Sequence, residues 1–314
     1  MNKLAICIIA YNEDQNIASL IDKIIQEGLD SFTLFIYTDG STDDTAKIAA
    51  SYKSKYPSLI NHLKGERRVG KTVAFNKILK KIKKYEIAVF MDADINIPEK
   101  SLFKLYRYLV SNKNLNAASP LFSAYTKGLG GLEKTIANLY SKARIHAATF
   151  KRYKYLSGRM YCIRTSLLVP ISQKSYFDDF YLNLRITYRS IDTCKDAGVY
   201  YRRPASTKDF IKYNLRLGRA LASIKVNHKD LWIEQGKRVS VIDYAVFDLT
   251  RYKFGTFFSK LNLYEKSVFV LTRLLSFTSM CFGLFTYKHN RKLWNQIDST
   301  KINYAEQSVR RGKS

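Results

Sequence analysis

Acidic residues are scarce in this 314-residue chain: 26 Asp and Glu stand against 53 Lys and Arg, for a formal charge of +27. That imbalance excludes an acidic solvating segment and predicts attraction to polyanions, whether nucleic acid, an anionic membrane face or a nucleotide substrate. Proline (5) and glycine (14) are also sparse, which excludes collagen-like and low-complexity architectures. The four cysteines, Cys7, Cys162, Cys194 and Cys281, are too scattered for a CxxC pair or a local Cys/His cluster. Neither zinc nor a disulfide framework is expected, and a reducing compartment is. His62, His146, His228 and His289 share no HxxH or HExxH spacing. No zinc finger or RNP-like signature accompanies the basic charge, so nucleic acid is the less favoured partner. The apolar run in "MNKLAICIIAYNED" is too short for the hydrophobic region of a signal peptide.

What is present is a chain 46% hydrophobic and 14% aromatic, enough for a large core. Its first hundred residues alternate strand and helix signals. "LAICIIA" (4–10), "FTLFIYT" (32–38) and "IAVFM" (87–91) are unbroken apolar runs, as expected of strands covered on both faces, with a shorter strand around Leu59–Leu63. Between them, "NIASLIDKIIQEG" reads as a helix ending at Gly28, and "STDDTAKIAASYKSKY" as a helix opened by Ser41 or Thr42. "KTVAFNKILKKIKK" reads as an amphipathic helix with Val73, Ile78, Leu79 and Ile82 on its apolar side. The pattern implies an α/β fold with a mostly parallel sheet, whose ligands bind at the carboxyl ends of the strands. Asn12-Glu13, Asp39 and Asp92 each follow a strand, so all three share one rim if the strands are parallel.

In "IAVFMDADINIP", Asp92 and Asp94 lie one residue apart and point to the same side of extended chain. The pair alone fits either the polar stop of a buried strand or part of a metal and phosphate site. "DGSTDDT" (39–45) fits a compact turn, with Asp43 and Asp44 as favourable charges on a helix start. "GERRVGKT" lacks the spacing of a phosphate-binding P-loop, yet Gly70 beside Lys71 at a helix start suits an anion. Asp178-Asp179 fits a paired acidic cap of the next helix, a general base, or both.

Taken in order, "AYNE" (10–13), "TDGSTDDT" (38–45), "RRVGKTVAFN" (67–76), "FMDAD" (90–94), "SGRMYCIR" (157–164) and "FDDFYLNLR" (177–185) resemble the family 2 glycosyltransferases over about residues 3–203. The resemblance implies the GT-A nucleotide-sugar-binding fold and inverting sugar transfer. It implies a nucleoside pocket with Tyr11, Glu13 and Asp39, and Arg67 and Lys71 near the nucleotide and diphosphate. Asp92 takes the position near the ribose and Asp94 the position of the metal ligand, for Mn²⁺ or Mg²⁺. Asp179 is the candidate general base, with Asp178 standing where the family usually has Glu. Processive members carry QxxRW, whereas "YNLRL" (213–217) keeps Arg216 without the Gln and Trp, which argues for single transfer.

A catalytic domain is therefore expected over 1–205, with a helical, basic and partly apolar region over 206–314. Within it, residues 267–287 read as a helix at a membrane surface, with a buried core helix as the near rival and a spanning helix third. A central Arg273 in lipid costs about 2.5–3.5 kcal/mol, and Thr272, Ser276, Ser279 and Gly283 form a less apolar stripe. The expected enzyme works in the cytoplasm on the inner face of the plasma membrane. It takes a nucleotide-diphospho sugar, UDP-linked ahead of GDP-linked, and a lipid, lipid-linked glycan or cell-envelope acceptor. A polyprenyl-phosphate sugar synthase and a non-enzymatic membrane- or nucleic-acid-binding module are the alternatives.

Overall fold

The computed structural model describes residues 4–149, 155–172, 175, 178–186, 188–204, 206–227 and 254–286. The segments beyond 227 in the basic stretch, His228, His289 and the basic tail lie outside the described residues.

The apolar runs form strands β1 (Leu4–Ala10), β2 (Thr33–Asp39) and β4 (Ile87–Asp92), with β3 (Ile60–Gly65) at one edge. β1 pairs in parallel with both β2 and β4, and β2 pairs in parallel with β3. Helices α1 (Asp14–Ile25), α2 (Thr45–Lys55), α3 (Lys71–Ile82) and α4 (Ser101–Ser111) provide the connections around these strands. The second half adds β5 (Ile95–Asn96), β6 (Ala117–Ala124), α5 (Gly131–Ala148), β7 (Met160–Arg164), α6 (Asp178–Arg185) and β8 (Ile191–Tyr201). One sheet results, in the order β3-β2-β1-β4-β7-β6-β8-β5. β7 runs antiparallel to β4 and β6, while β6 and β8 are parallel. The carboxyl ends of β1, β2, β4, β6 and β8 therefore share a rim with the start of β7.

Two apolar layers hold the sheet, because alternate strand residues face opposite sides. Leu4, Ile6 and Ile8 of β1 pack on one face with Ile17 and Ile21 of α1 and Leu105 of α4. Ala5 and Cys7 pack on the other with Phe75 and Ile78 of α3 and Leu182 of α6. All four cysteines are free thiols, as their spacing predicts. On α3 the buried side includes Ala74 and Phe75, with Val73 only half-buried, because the helix is rotated slightly from the expected stripe.

Two local expectations change. α1 stops at Ile25, and Gly28 supplies a left-handed turn (φ +73°) beyond it. α2 starts at Thr45, not at Ser41 or Thr42. Those hydroxyls serve the strand exits instead: Asn12 donates from its backbone to Ser41 Oγ (3.2 Å) and from Nδ2 to Thr42 Oγ1 (3.1 Å). Asp43 takes over the helix start, accepting the Thr45 amide at 3.0 Å.

After β8 come α7 (Thr207–Asn227), α8 (Phe254–Phe258) and α9 (Leu263–Phe285). α9 opens with a capping box between Asn262 and Glu265 and is long and apolar enough to cross a membrane. It crosses α7 closely: a Cβ on Gly218 would strike the Met280 carbonyl, and one on Gly283 the Leu215 carbonyl. The less apolar stripe faces the protein, since Ser276, Ser279 and Gly283 are buried, while Leu271, Leu274 and Phe282 are exposed. Arg273 also turns inward, 4.2 Å from the Tyr140 ring centroid on α5. The lipid cost anticipated for that arginine therefore does not arise.

Candidate functional site

The rim gathers the site from the ends of β1, β2 and β4 and the start of β7. Asp39, at the end of β2, is buried and accepts two backbone amides, Val69 N–H on Oδ1 and Gly70 N–H on Oδ2, both at 2.8 Å. The carboxylate thereby holds the loop that enters α3. That loop passes so close to the exit of β2 that a Cβ on Gly40 would strike the backbone of Arg67 and Arg68, and Gly40 also has φ +64°. Gly70 (φ +93°) then turns the chain into α3, whose first residue is Lys71.

From there the Lys71 side chain reaches the end of β4. Its ammonium donates to Asp92 Oδ1 at 2.7 Å and to the Gly158 carbonyl at 2.9 Å, and lies 3.5 Å from Asp178 Oδ1. Burial opposes the charge on Lys71, but Asp178, Asp92 and Asp179 outweigh it and hold the ammonium protonated well above the ordinary lysine range. Burial alternates through this stretch: Asp92 and Asp94 are half-buried while Ala93 and Ile95 are buried. The two acids thus face one side, as strand alternation predicts.

The third acid arrives on α6. Asp179 accepts the Gly158 amide on Oδ2 at 2.6 Å and the Phe180 amide on Oδ1 at 2.8 Å. Burial and the neighbouring Asp178 push its pKa up to about 6, against the opposing pull of Lys71 and the two amides. Asp178 is buried and accepts the Tyr161 hydroxyl on Oδ2 at 3.1 Å, while its Oδ1 faces the Lys71 ammonium. Gly158 is the shared contact: its N–H serves Asp179, its carbonyl serves Lys71, and the next carbonyl, of Arg159, accepts the Asp92 amide at 3.0 Å.

Other expected residues stand further out. Tyr11 is half-buried, with the Arg68 guanidinium 3.9 Å from its ring centroid. Glu13 is buried and accepts Asn16 Nδ2 at 3.0 Å, so its carboxylate is turned onto α1. Arg67 is exposed on the loop beside Arg68. Arg164 is structural, donating to the Leu115 carbonyl at 2.9 Å. Asn76 exchanges two hydrogen bonds with the Ile171 backbone, at 2.7 and 2.9 Å.

Arg68, Arg159 and Arg203 join the surroundings of the rim without having been singled out by their sequence pattern. Arg159 lies inside the quoted "SGRMYCIR" and Arg203 just after β8, but only the fold reveals what they face. Arg216, on α7, is half-buried and lies where Tyr213, Arg159, Asp94 and Asp92 all act on its charge. Among the described residues, no group of three or more His, Cys, Asp and Glu side chains could hold a metal ion. An acid such as Asp94 fits a cation that takes most of its ligands from a bound molecule's oxygens and water, and the residues present do not fit a cage built by the protein alone.

Residues 5–168 match the profile of Glycosyl transferase family 2, and the chain belongs to that family. A teichoic acid poly(glycerol phosphate) polymerase of Staphylococcus epidermidis is 31% identical over 94 residues, 30% of this chain and 13% of the relative. The minor teichoic acid biosynthesis protein GgaA of Bacillus subtilis is 23% identical over 217 residues, 65% of this chain. The chain spans 48% of GgaA, and so about half or less of the length of these relatives. Among solved structures, mannosyltransferase PcManGT from Pyrobaculum calidifontis, in complex with GDP-Man and Mn²⁺, superposes with a TM-score of 0.63. The match has 13% identity and covers 90% of this chain and 87% of that one. The fold is GT-A.

Proposed function

We propose that this chain is an inverting glycosyltransferase that moves a single sugar from a nucleotide-diphospho sugar to a hydroxyl acceptor. The observation that carries this reading is the Gly158 turn, which ties Asp179 and the Lys71–Asp92 pair into one centre. Residues 1–205 form the catalytic domain in this reading, and residues 206–314 a C-terminal region that lends Tyr213 and Arg216 to the site.

Asp179 acts as the base. With a pKa of about 6 it is largely ionised at neutral pH and basic enough to draw a proton from a hydroxyl as bonding begins. The acceptor oxygen forms its bond to the anomeric carbon while the bond to the diphosphate oxygen breaks on the opposite face. The proton goes to Asp179 and the electron pair leaves with the nucleoside diphosphate, so the anomeric configuration inverts. Amides on both Asp179 oxygens keep the carboxylate aimed, and Gly158 leaves room for it.

Tyr11, Asp39, Arg67 and Arg68 border the nucleoside side of the rim, where Asp39 also secures the loop. A divalent cation, Mn²⁺ or Mg²⁺, would be held by Asp94 with Asp92 beside the ribose, and when bound it would neutralise the diphosphate leaving group. Lys71 adds a permanent positive charge in the same centre. Only Arg216 survives of the processive QxxRW pattern, which supports one transfer per encounter.

The acceptor is a lipid, lipid-linked glycan or cell-envelope precursor, and the enzyme works in the cytoplasm, docked on the inner face of the plasma membrane. The outward apolar side of α9 and the +27 charge support this placement. A tuned carboxylate at Asp179 favours a hydroxyl nucleophile over the phosphate nucleophile of a polyprenyl-phosphate sugar synthase, which needs no base. A panel of UDP- and GDP-sugars with Mn²⁺ or Mg²⁺, read by nucleoside diphosphate release, tests the reading. One donor should be turned over, UDP-linked first. Release from none, in a folded protein, would overturn it.

A further inference from the structure

The sheet order separates the two sides of Asp92. Strands β1 and β2, with the nucleoside-side residues, lie to one side, and β7, β6 and β8 to the other. On that far side, guanidinium groups converge from separate elements. Arg159 leads into β7, Arg203 follows β8, and Arg144 comes from α5; all three are half-buried.

Aromatic rings space these charges. The Arg159 guanidinium lies 3.9 Å and that of Arg144 5.8 Å from the Tyr201 ring centroid, while Arg203 lies 3.3 Å from the ring centroid of Tyr140. Burial alone would raise the Tyr201 phenol, but Arg144, Arg203 and Arg159 pull it down to about 8. The local potential is strongly positive. Like charges gathered in a poorly solvated setting repel, and the ring faces beside them offset part of that repulsion. Among the described residues, Arg203 Nε is also buried without a hydrogen-bond partner. A planar fork of donors suits the oxygens of a phosphate or a carboxylate, and a phosphate group, with its extra oxygens, can engage guanidiniums that come from several elements.

We propose that Arg144, Arg159 and Arg203, on the acceptor side of the Gly158 turn, form a site for a phosphate or phosphodiester carried by the acceptor. The phosphate is a recognition group there, and the nucleophile remains a hydroxyl beside Asp179. Arg216 borders the same cluster, acting on Tyr213 together with the other three arginines, and its charge also feels Asp94 and Asp92. The inference deepens the sugar-transfer reading and rests on its placing of the nucleoside by Tyr11 and Asp39 and of the acceptor hydroxyl beside Asp179.

The test uses the full chain with inorganic phosphate and sn-glycerol 3-phosphate as probes, and glycerol as the uncharged control, at low ionic strength. Binding of the two phosphates, without binding of glycerol, is expected, weakened at least tenfold in Arg144→Gln and Arg203→Gln. Binding of UDP with Mn²⁺ should stay within twofold in both variants. Phosphate binding unchanged in the variants, or UDP binding lost in parallel, would overturn the site. Should the variants fail to fold, competition in the unaltered chain decides: simultaneous binding of UDP and phosphate supports the site, and mutual exclusion overturns it. Arginine-dependent phosphate binding in a chain that turns over no donor would sink the sugar-transfer reading and leave this site standing.

Discussion

Lys71 and Asp92 meet in a 2.7 Å ion pair that joins the first turn of α3 to the end of β4. The lysine is nearly enclosed, at 14% exposure, and the aspartate is 30% exposed. A cation therefore resides permanently among Asp92, Asp178 and Asp179. Replacing it as Lys71→Met leaves three acids without their counter-charge and should cost about 1–3 kcal/mol. Urea denaturation at neutral pH measures the loss, and a variant as stable as the parent would show that the pair contributes nothing.

The pH profile follows from Asp179. Its carboxyl titrates near 6, and only the ionised form accepts a proton, so kcat/KM should rise with pH through about 6. Lys71 lowers that pKa, so Lys71→Met should move the acid limb to higher pH. The stability effect has the opposite sense. Because the folded pKa lies above the unfolded value of about 3.9, this group's contribution is fully present below about pH 4 and falls as pH rises through 6. An acid limb unmoved in the Lys71 variant would separate the lysine from the base.

Gly158 carries contacts to both Lys71 and Asp179, and an added Cβ would stand 3.0 Å from Asp179 Oδ2 and 3.1 Å from Lys71 Nζ. Gly158→Ala should cost about 1–3 kcal/mol through overpacking. It should also lower kcat more than it weakens nucleotide binding, because it displaces the base and not the nucleoside pocket. Steady-state kinetics beside nucleotide titration would show the split.

Asp39 uses both oxygens on backbone amides, and an Asn there can accept only one. Asp39→Asn should lose about 1–3 kcal/mol and weaken UDP binding as the loop before α3 loosens. Thermal unfolding and nucleotide titration check the two effects together.

The outward side of α9 bears Leu271 at 66% and Leu274 at 56% exposure. Leu271→Glu with Leu274→Glu should abolish flotation with anionic liposomes while leaving the melting temperature within a few degrees. Flotation of the parent chain should weaken with salt, since surface charges are screened within about 8 Å at physiological ionic strength. Flotation that survives the double substitution would remove α9 from the membrane reading.

Much of this architecture was legible in the chain. The runs 4–10, 32–38 and 87–91 are buried on both sheet faces, and the absence of polar alternation in them records that. Acids placed after those runs had to share a rim once the strands proved parallel. What stayed hidden depends on chain segments far apart in sequence. Lys71 reaches Asp92 across 21 positions and the Gly158 carbonyl across 87. Arg68 on Tyr11, and Arg159 with Arg144 on Tyr201, are likewise visible only after folding. Ser41 and Thr42 looked like helix caps because nothing local shows that Asn12 claims their hydroxyls. On α9 the small and hydroxylated stripe was evident, but that it faces the protein follows from the close crossing with α7.

The decisive variant is Asp179→Asn, with nucleoside diphosphate release and nucleotide binding measured side by side in the parent and the variant. With Asp179 as the base, release in the presence of acceptor falls at least about 100-fold while UDP binding in Mn²⁺ stays within twofold. Release at the parent rate from a folded Asp179→Asn would contradict it.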